Sequence, residues 1–176
     1  MISGAATDTV PGPRMDAPLP LDRASRARLP WFFGAARASF ALGGALPWAL
    51  PFARAWLPLG PIGVLLDGMF FFFCHRRPER TLVFAGVPMP LCSRCAGIAL
   101  GLALGAVVAW PSPSLRATRI AAILAVLAMV ADVVTQDLGV HPVWHATRIA
   151  TGGAFGYVLA IGLFAAIRRE WRAAAA

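Results

Sequence analysis

Apolar residues run through this chain in long blocks rather than in the short alternations or one-sided stripes of a soluble domain, and polar residues gather at the block ends. The first block, Trp31 to Ala53, is interrupted only by Arg37, with Pro47 and Pro51 near its far end, where they suggest a kink or a stop. Three cleaner blocks follow at Leu91 to Trp110, Ala117 to Gln136 and Ala146 to Ile167. Each is long enough for the ~20 residues of a membrane-crossing helix. Between the first and second lies Pro61 to Cys74, apolar and containing Asp67, but well short of that length; it reads as an interfacial or re-entrant helix. The pattern therefore predicts an all-α polytopic membrane protein of four transmembrane helices plus one short helix.

Tight connections through Pro111 to Ser114 and Gly139 to Pro142 make the last three spans antiparallel neighbours. Residues 1–30 carry prolines and arginines without periodicity and read as a disordered cytoplasmic tail; no cleavable leader is recognised, so the first span is expected to be an uncleaved anchor. Residues 31–168 form the membrane domain, and 169–176 a short C-terminal tail. Arg37 lies close enough to the start of its span to snorkel to the interface.

Composition agrees: 59% of residues are hydrophobic and 14% charged, far from the balance of a soluble domain. The net charge of +8 comes wholly from arginine, and because these arginines flank apolar blocks they act as topology signals; nucleic-acid binding is a poor reading of them. If one span precedes the cysteines, nine arginines fall on the side of the termini, which places both termini in the cytoplasm of a cell-membrane protein and the cysteine stretch outside. The bilayer is the first partner expected. Four spans without an internal repeat do not make a self-sufficient carrier, so a homo-oligomer or a membrane partner protein is the second.

Candidate chemistry is concentrated in residues 74–95, which hold all three cysteines. Cys92 and Cys95 open a span, where free amides and the helix dipole favour thiolates, and Arg94 lies between them. With Cys74 and His75 they form a candidate ligand set for a transition metal, zinc matching it best. Glu79 could replace His75 as the fourth ligand or act as a general base. The antiparallel layout returns Asp132 and Gln136, then Arg148 and Thr151, to the same membrane face; an Asp132–Arg148 salt bridge is expected, serving either a site or a helix clamp, so the catalytic candidates are Glu79, Asp132 and Arg148. Two other functions fit the residues: a membrane thiol-disulfide oxidoreductase using Cys92 and Cys95 with a quinone as electron acceptor, or a transporter or accessory subunit whose metal is structural. His141 and His145 lie four apart, but Pro142 breaks a helix there, and interfacial histidines beside Trp144 are ordinary. Gly97, Gly101 and Gly105, with Gly152, Gly153 and Gly156, form small-residue surfaces for close helix packing.

The segments C-H-x2-P-E-R, P-L-C-S-R-C-A-G-I-A-L-G, D-V-V-T-Q and R-I-A-T-G-G-A-F-G together resemble the domain of unknown function 2085 family of small prokaryotic membrane proteins, over about residues 55–165. The resemblance implies Cys74, His75, Pro78, Glu79, Arg80, Cys92, Arg94, Cys95, Gly97, Gly101, Asp132, Thr135, Gln136, Arg148, Thr151 and Gly152 as the family's pattern residues. This chain departs from it at Arg76, Thr81 and Ala99, where the family shows glutamine, serine and tyrosine, and His141 and His145 match nothing in it. The resemblance implies a membrane fold and no activity.

Overall fold

The computed structural model describes residues 23–75, 77–108 and 114–175. Five helices dominate: α1 (Arg23–Trp56), α2 (Gly60–Phe71), α3 (Ser93–Val108), α4 (Leu115–Asp137) and α5 (His145–Ala175). A single 3-10 turn at Pro78–Arg80 leads into a two-stranded antiparallel hairpin, β1 (Thr81–Phe84) and β2 (Val87–Cys92). Of the expected tail, residues 1–22 lie outside the described residues, and from Arg23 onward the chain is already helical. α5 likewise continues through the expected C-terminal tail to Ala175.

Pro47 and Pro51 do not stop α1, which runs on to Trp56. Both prolines are fully buried, four residues apart, so they share one packed face. α2 occupies the segment expected to be a short apolar helix, and its Asp67 pairs with Arg54 near the end of α1.

The hairpin is the element that the hydrophobic pattern did not reveal. Ala85 (φ 51°) and Gly86 (φ 75°) both adopt left-handed backbone, the condition for a two-residue turn whose twist matches that of the strands it joins. Phe84 pairs with Val87, Val83 with Pro88 and Thr81 with Cys92, with an irregularity between Thr81 and Val83. A two-stranded sheet has only edges, so the prolines of β2 are tolerated. The strand takes Leu91 and Cys92 out of the expected span, so α3 begins at Ser93 and its described part is 16 residues long.

Helix directions follow from the contacts. Arg37, Gly44 and Trp48 of α1 meet Val107, Ala103 and Ala96 of α3 respectively, so these helices are antiparallel. Gly97, Gly101 and Gly105 of α3 lie against Ile149, Gly153 and Ala160 of α5, so that pair is parallel. A methyl group on Gly97 would sit 2.5 Å from the Ile149 carbonyl oxygen, and one on Gly105 2.6 Å from the Ala160 Cβ. Only glycine permits this approach. α4 runs back along α5, with Thr118 near Gly162 at one end and Gln136 bonded to Arg148 at the other; it does not pack along α3, so the last three spans are not neighbours in chain order as expected, because the glycine faces bring α3 directly onto α5. Ser114 caps the start of α4, its hydroxyl accepting from the Ala117 amide at 3.1 Å, and Gly139 (φ 73°) closes its end.

Arg37, expected to snorkel, has specific partners at the far end of a neighbouring helix. It crosses to α3 and donates to the carbonyls of Ala106 (2.5 Å) and Val107 (2.6 Å), the last turn of that helix, where carbonyls lack partners and the dipole favours a cation.

The interior divides into two apolar clusters. One joins Ala106, Ala160 and Phe164 to Phe33 and Phe40 near the chain termini; Phe164 stacks edge-on with both phenylalanines. The other joins Cys74, Met89, Leu91 and Ala96 to Trp48, Phe70 and Phe84, and it is the floor beneath the cysteines. Outward faces are strongly apolar, as at Leu42, Ile123, Leu124 and Leu127. α4 and α5 are long and apolar enough to cross a membrane.

A candidate metal centre in an arginine-lined cavity

Cys74 follows α2, Cys92 ends β2 and Cys95 lies in the first turn of α3. The hairpin is what joins them, because it sends the chain out after α2 and returns it at the start of α3. All three sulfurs lie within 4.8 Å of one another. The Cys92 amide donates to the Cys74 sulfur at 3.3 Å, and all three thiols are free.

Tetrahedral zinc with Zn–S bonds of about 2.3 Å places its sulfurs roughly 3.8 Å apart, so the triangle needs to contract only slightly to hold an ion. Hydrogen bonds from the Cys74 and Cys95 thiols, followed by backbone amides of Cys95 and Arg94, hold the Cys92 pKa well below the ordinary thiol range against the opposing effect of burial. One thiolate is thus ready to receive a cation.

His75 is not part of this group. It is exposed and borders the same cavity as the sulfurs, so of the expected ligands Cys74, His75, Cys92 and Cys95 the three cysteines are the ones brought within 4.8 Å of one another. Glu79 is also exposed, on the 3-10 turn, and is absent from the described cavity wall.

The cavity has a volume of about 570 Å³ and is walled by the three cysteines, Phe73, His75, Asp137 and four arginines, Arg77, Arg80, Arg94 and Arg148. Arg148 is 2% exposed. Its Nε donates to the buried Ser93 hydroxyl (3.0 Å) and its Nη1 to the Gln136 side-chain oxygen (2.6 Å). Asp132 pairs with Arg94 and not with Arg148, which corrects the salt bridge expected from depth along the spans. The spacing located both residues at the correct end; it could not show that Arg94, one residue past Ser93, reaches across to α4. Arg80 approaches Asp137 at 3.7 Å and ties the 3-10 turn to the same helix.

Other pattern residues serve the scaffold. Thr151 bonds back to the Thr147 carbonyl (2.9 Å), and Gly152 lets α5 approach the Arg94 carbonyl. His141 stacks on Trp144 with ring centroids 4.8 Å apart; its Nδ1 donates to the Pro142 carbonyl, and its Nε2 lies 2.8 Å from the Thr135 hydroxyl. Neither His141 nor His145 lines the cavity.

Comparison with known sequences adds one family and two relatives. Residues 74–162 match the model of a family described as "Predicted membrane protein (DUF2085)", a match that starts at the first cysteine. An uncharacterized protein of Methanothermobacter thermautotrophicus is 38% identical over 94 residues, covering 52% of this chain and 85% of the relative. An uncharacterized protein of Methanocaldococcus jannaschii is 28% identical over 102 residues, covering 56% of this chain and 65% of the relative. No solved structure matches the chain.

Proposed function

The chain belongs to the predicted-membrane-protein family of domain of unknown function 2085, and on that premise we propose that it is a multi-pass membrane protein built around a transition-metal centre held by Cys74, Cys92 and Cys95, with zinc as the ion. The observation that carries this reading is the convergence of three sulfurs from three separate elements within 4.8 Å. A soft all-sulfur donor set suits zinc. Three protein ligands leave a fourth position, and here it borders a polar cavity rather than another side chain, the layout of centres that bind water or substrate. Bound there, zinc would act as a Lewis acid. Cys74, Cys92 and Cys95 would hold it; Arg148, fixed by Ser93 and Gln136, and Arg94, fixed by Asp132, would orient an anionic group beside it.

Four crossings, by α1, α3, α4 and α5, fit the bundle. α1 lies alongside α3 from Trp48–Ala96 to Arg37–Val107, and α3 alongside α5 from Gly97 to Gly105, so all of them share one depth. α3, at about 24 Å by its helical rise, is a short span that local bilayer thinning accommodates. Phe33 packs against Trp171 (5.1 Å), which puts the start of α1 and the end of α5 at one end of the bundle, together with Arg116, Arg119, Arg168, Arg169 and Arg172. At the other end Arg54, Arg80 and Arg94 each face an aspartate. Positive-inside bias then puts the termini in the cytoplasm and the cavity outside.

The test is elemental analysis of detergent-purified protein beside the Cys92→Ser/Cys95→Ser variant, with thiols counted by alkylation with and without reductant. About one metal per chain, lost in the variant, supports the centre. Absent metal, with thiols that react only after reduction, would sink it in favour of a thiol-disulfide oxidoreductase, which the closeness of the sulfurs and the Cys92 thiolate also fit.

A further inference from the structure

The sulfurs account for the floor of the cavity but not for its walls. Four guanidinium groups face a space in which Asp137 is the one carboxylate among the described lining residues. Their donors are not used up: the Nε atoms of Arg80 and Arg94 are buried without a hydrogen-bond partner, and among the described residues the second terminal nitrogen of Arg148 makes no hydrogen bond. Arg148 is 98% buried, since only 2% of it is exposed, and a buried cation with a spare forked donor is costly unless an anion completes it.

A second cavity of about 510 Å³ adjoins the first and has the opposite character. It lies between α1, α2 and α3, lined by Phe40, Gly43, Phe70, Leu91, Ile98 and Leu102 among others, and it shares Phe73 and Cys95 with the arginine cavity. A cationic chamber and an apolar one with a common wall match a ligand that has a charged head and a hydrocarbon chain. Arginine forks match the several oxygens of a phosphate better than a single polar atom.

We propose that the two cavities form one site for a phosphate-bearing amphiphile drawn from the bilayer, its phosphate held by Arg77, Arg80, Arg94 and Arg148 and its chain lying between α1 and α3. The site rests on the membrane-spanning reading but not on the metal. Gly43 supplies a clean probe, because a side chain there would meet nothing within 4 Å and would project from the wall of the apolar chamber.

The experiment titrates the full-length protein in maltoside detergent with dodecyl phosphate, inorganic phosphate and dodecanol, beside Arg77→Ala, Arg80→Ala and Gly43→Leu variants, with metal content measured on each preparation. The expected result is that dodecyl phosphate binds at least about tenfold tighter than either other probe. Each arginine variant should weaken both phosphate probes, whereas Gly43→Leu weakens dodecyl phosphate alone, by about tenfold, and leaves metal content unchanged. Equal binding of inorganic and dodecyl phosphate, with Gly43→Leu silent, overturns the amphiphile in favour of a soluble anion. Dodecanol binding as tightly as dodecyl phosphate overturns the anionic head, and binding of none of the probes overturns the site. A proposal that fails while metal stays bound leaves the sulfur centre standing; protein recovered from cells without detergent would instead remove the membrane-spanning premise.

Discussion

Asp132 on α4 is ion-paired with Arg94 on α3, two residues that are 38 positions apart and both largely shielded from solvent, at 7% and 14% side-chain exposure. This pair crosslinks the helix that starts at the cysteines to the helix that returns to them, and it leaves Arg148 with neutral partners. Removing one member strands the other charge, so Asp132→Ala is expected to destabilise the fold by about 3 kcal/mol. A double-mutant cycle followed by unfolding in detergent micelles checks the partner. Arg94 and Asp132 should couple by more than about 1 kcal/mol, while Asp132 and Arg148 add to within about 0.5 kcal/mol.

Metal retention separates ligands from bystanders. Cys74→Ser is expected to reduce bound metal from about one per chain to near none, whereas His75→Ala keeps it. Loss of metal in His75→Ala would restore the four-ligand set that the spacing of the sequence suggested.

The depressed pKa of Cys92 sets a sign for thiol reactivity. An ordinary thiol is mostly protonated below about pH 8.5, whereas a lowered pKa keeps the thiolate populated as pH falls through that range. In metal-free protein, iodoacetamide should therefore modify Cys92 at pH 6 at a rate close to that at pH 8, with the site identified by peptide mass. A rate falling about tenfold per unit below pH 8.5 would contradict the hydrogen-bonded thiolate.

Much of this arrangement was legible in the chain. Apolar blocks located the helices, and the alternation of their directions located Asp132, Gln136 and Arg148 beside the cysteines. The glycine spacing of Gly97, Gly101 and Gly105 marked a face for close helix packing, because a four-residue repeat of small residues lies on one side of a helix, but it did not show that α5 is the partner. The hairpin was hidden by Pro88 and Pro90, which argue against a strand unless every strand is an edge; the signal that could have found it is the two-residue Ala85-Gly86 step after Thr81 to Phe84. The partner of Asp132 was hidden for a different reason. Depth along a span is readable from spacing, but rotation about the helix axis, which decides between Arg94 and Arg148, is not.

Two glycines of similar sequence context should respond in opposite ways. Gly101→Ala would push a methyl group to 2.7 Å from the Tyr157 amide nitrogen and is expected to cost about 1–3 kcal/mol as α3 and α5 separate. Gly43→Ala meets nothing within 4 Å and should be neutral or stabilising by up to about 1 kcal/mol, since alanine favours the helix. Thermal unfolding of both variants in one detergent is sufficient to compare them.

Arg37 holds α1 to the last turn of α3, and Trp48 holds it again at the Ala96 carbonyl (3.0 Å), so the helix is a beam bolted at two stations. A beam fixed twice can neither slide along its neighbour nor pivot about a single joint. The wall beside Phe73 is completed by α2 and the hairpin, which α1 meets through the Arg54–Asp67 ion pair and by packing against the strands. That wall is carried on a frame made of α1 and α3, so the site inherits its shape from a pair of helices that hold each other in register.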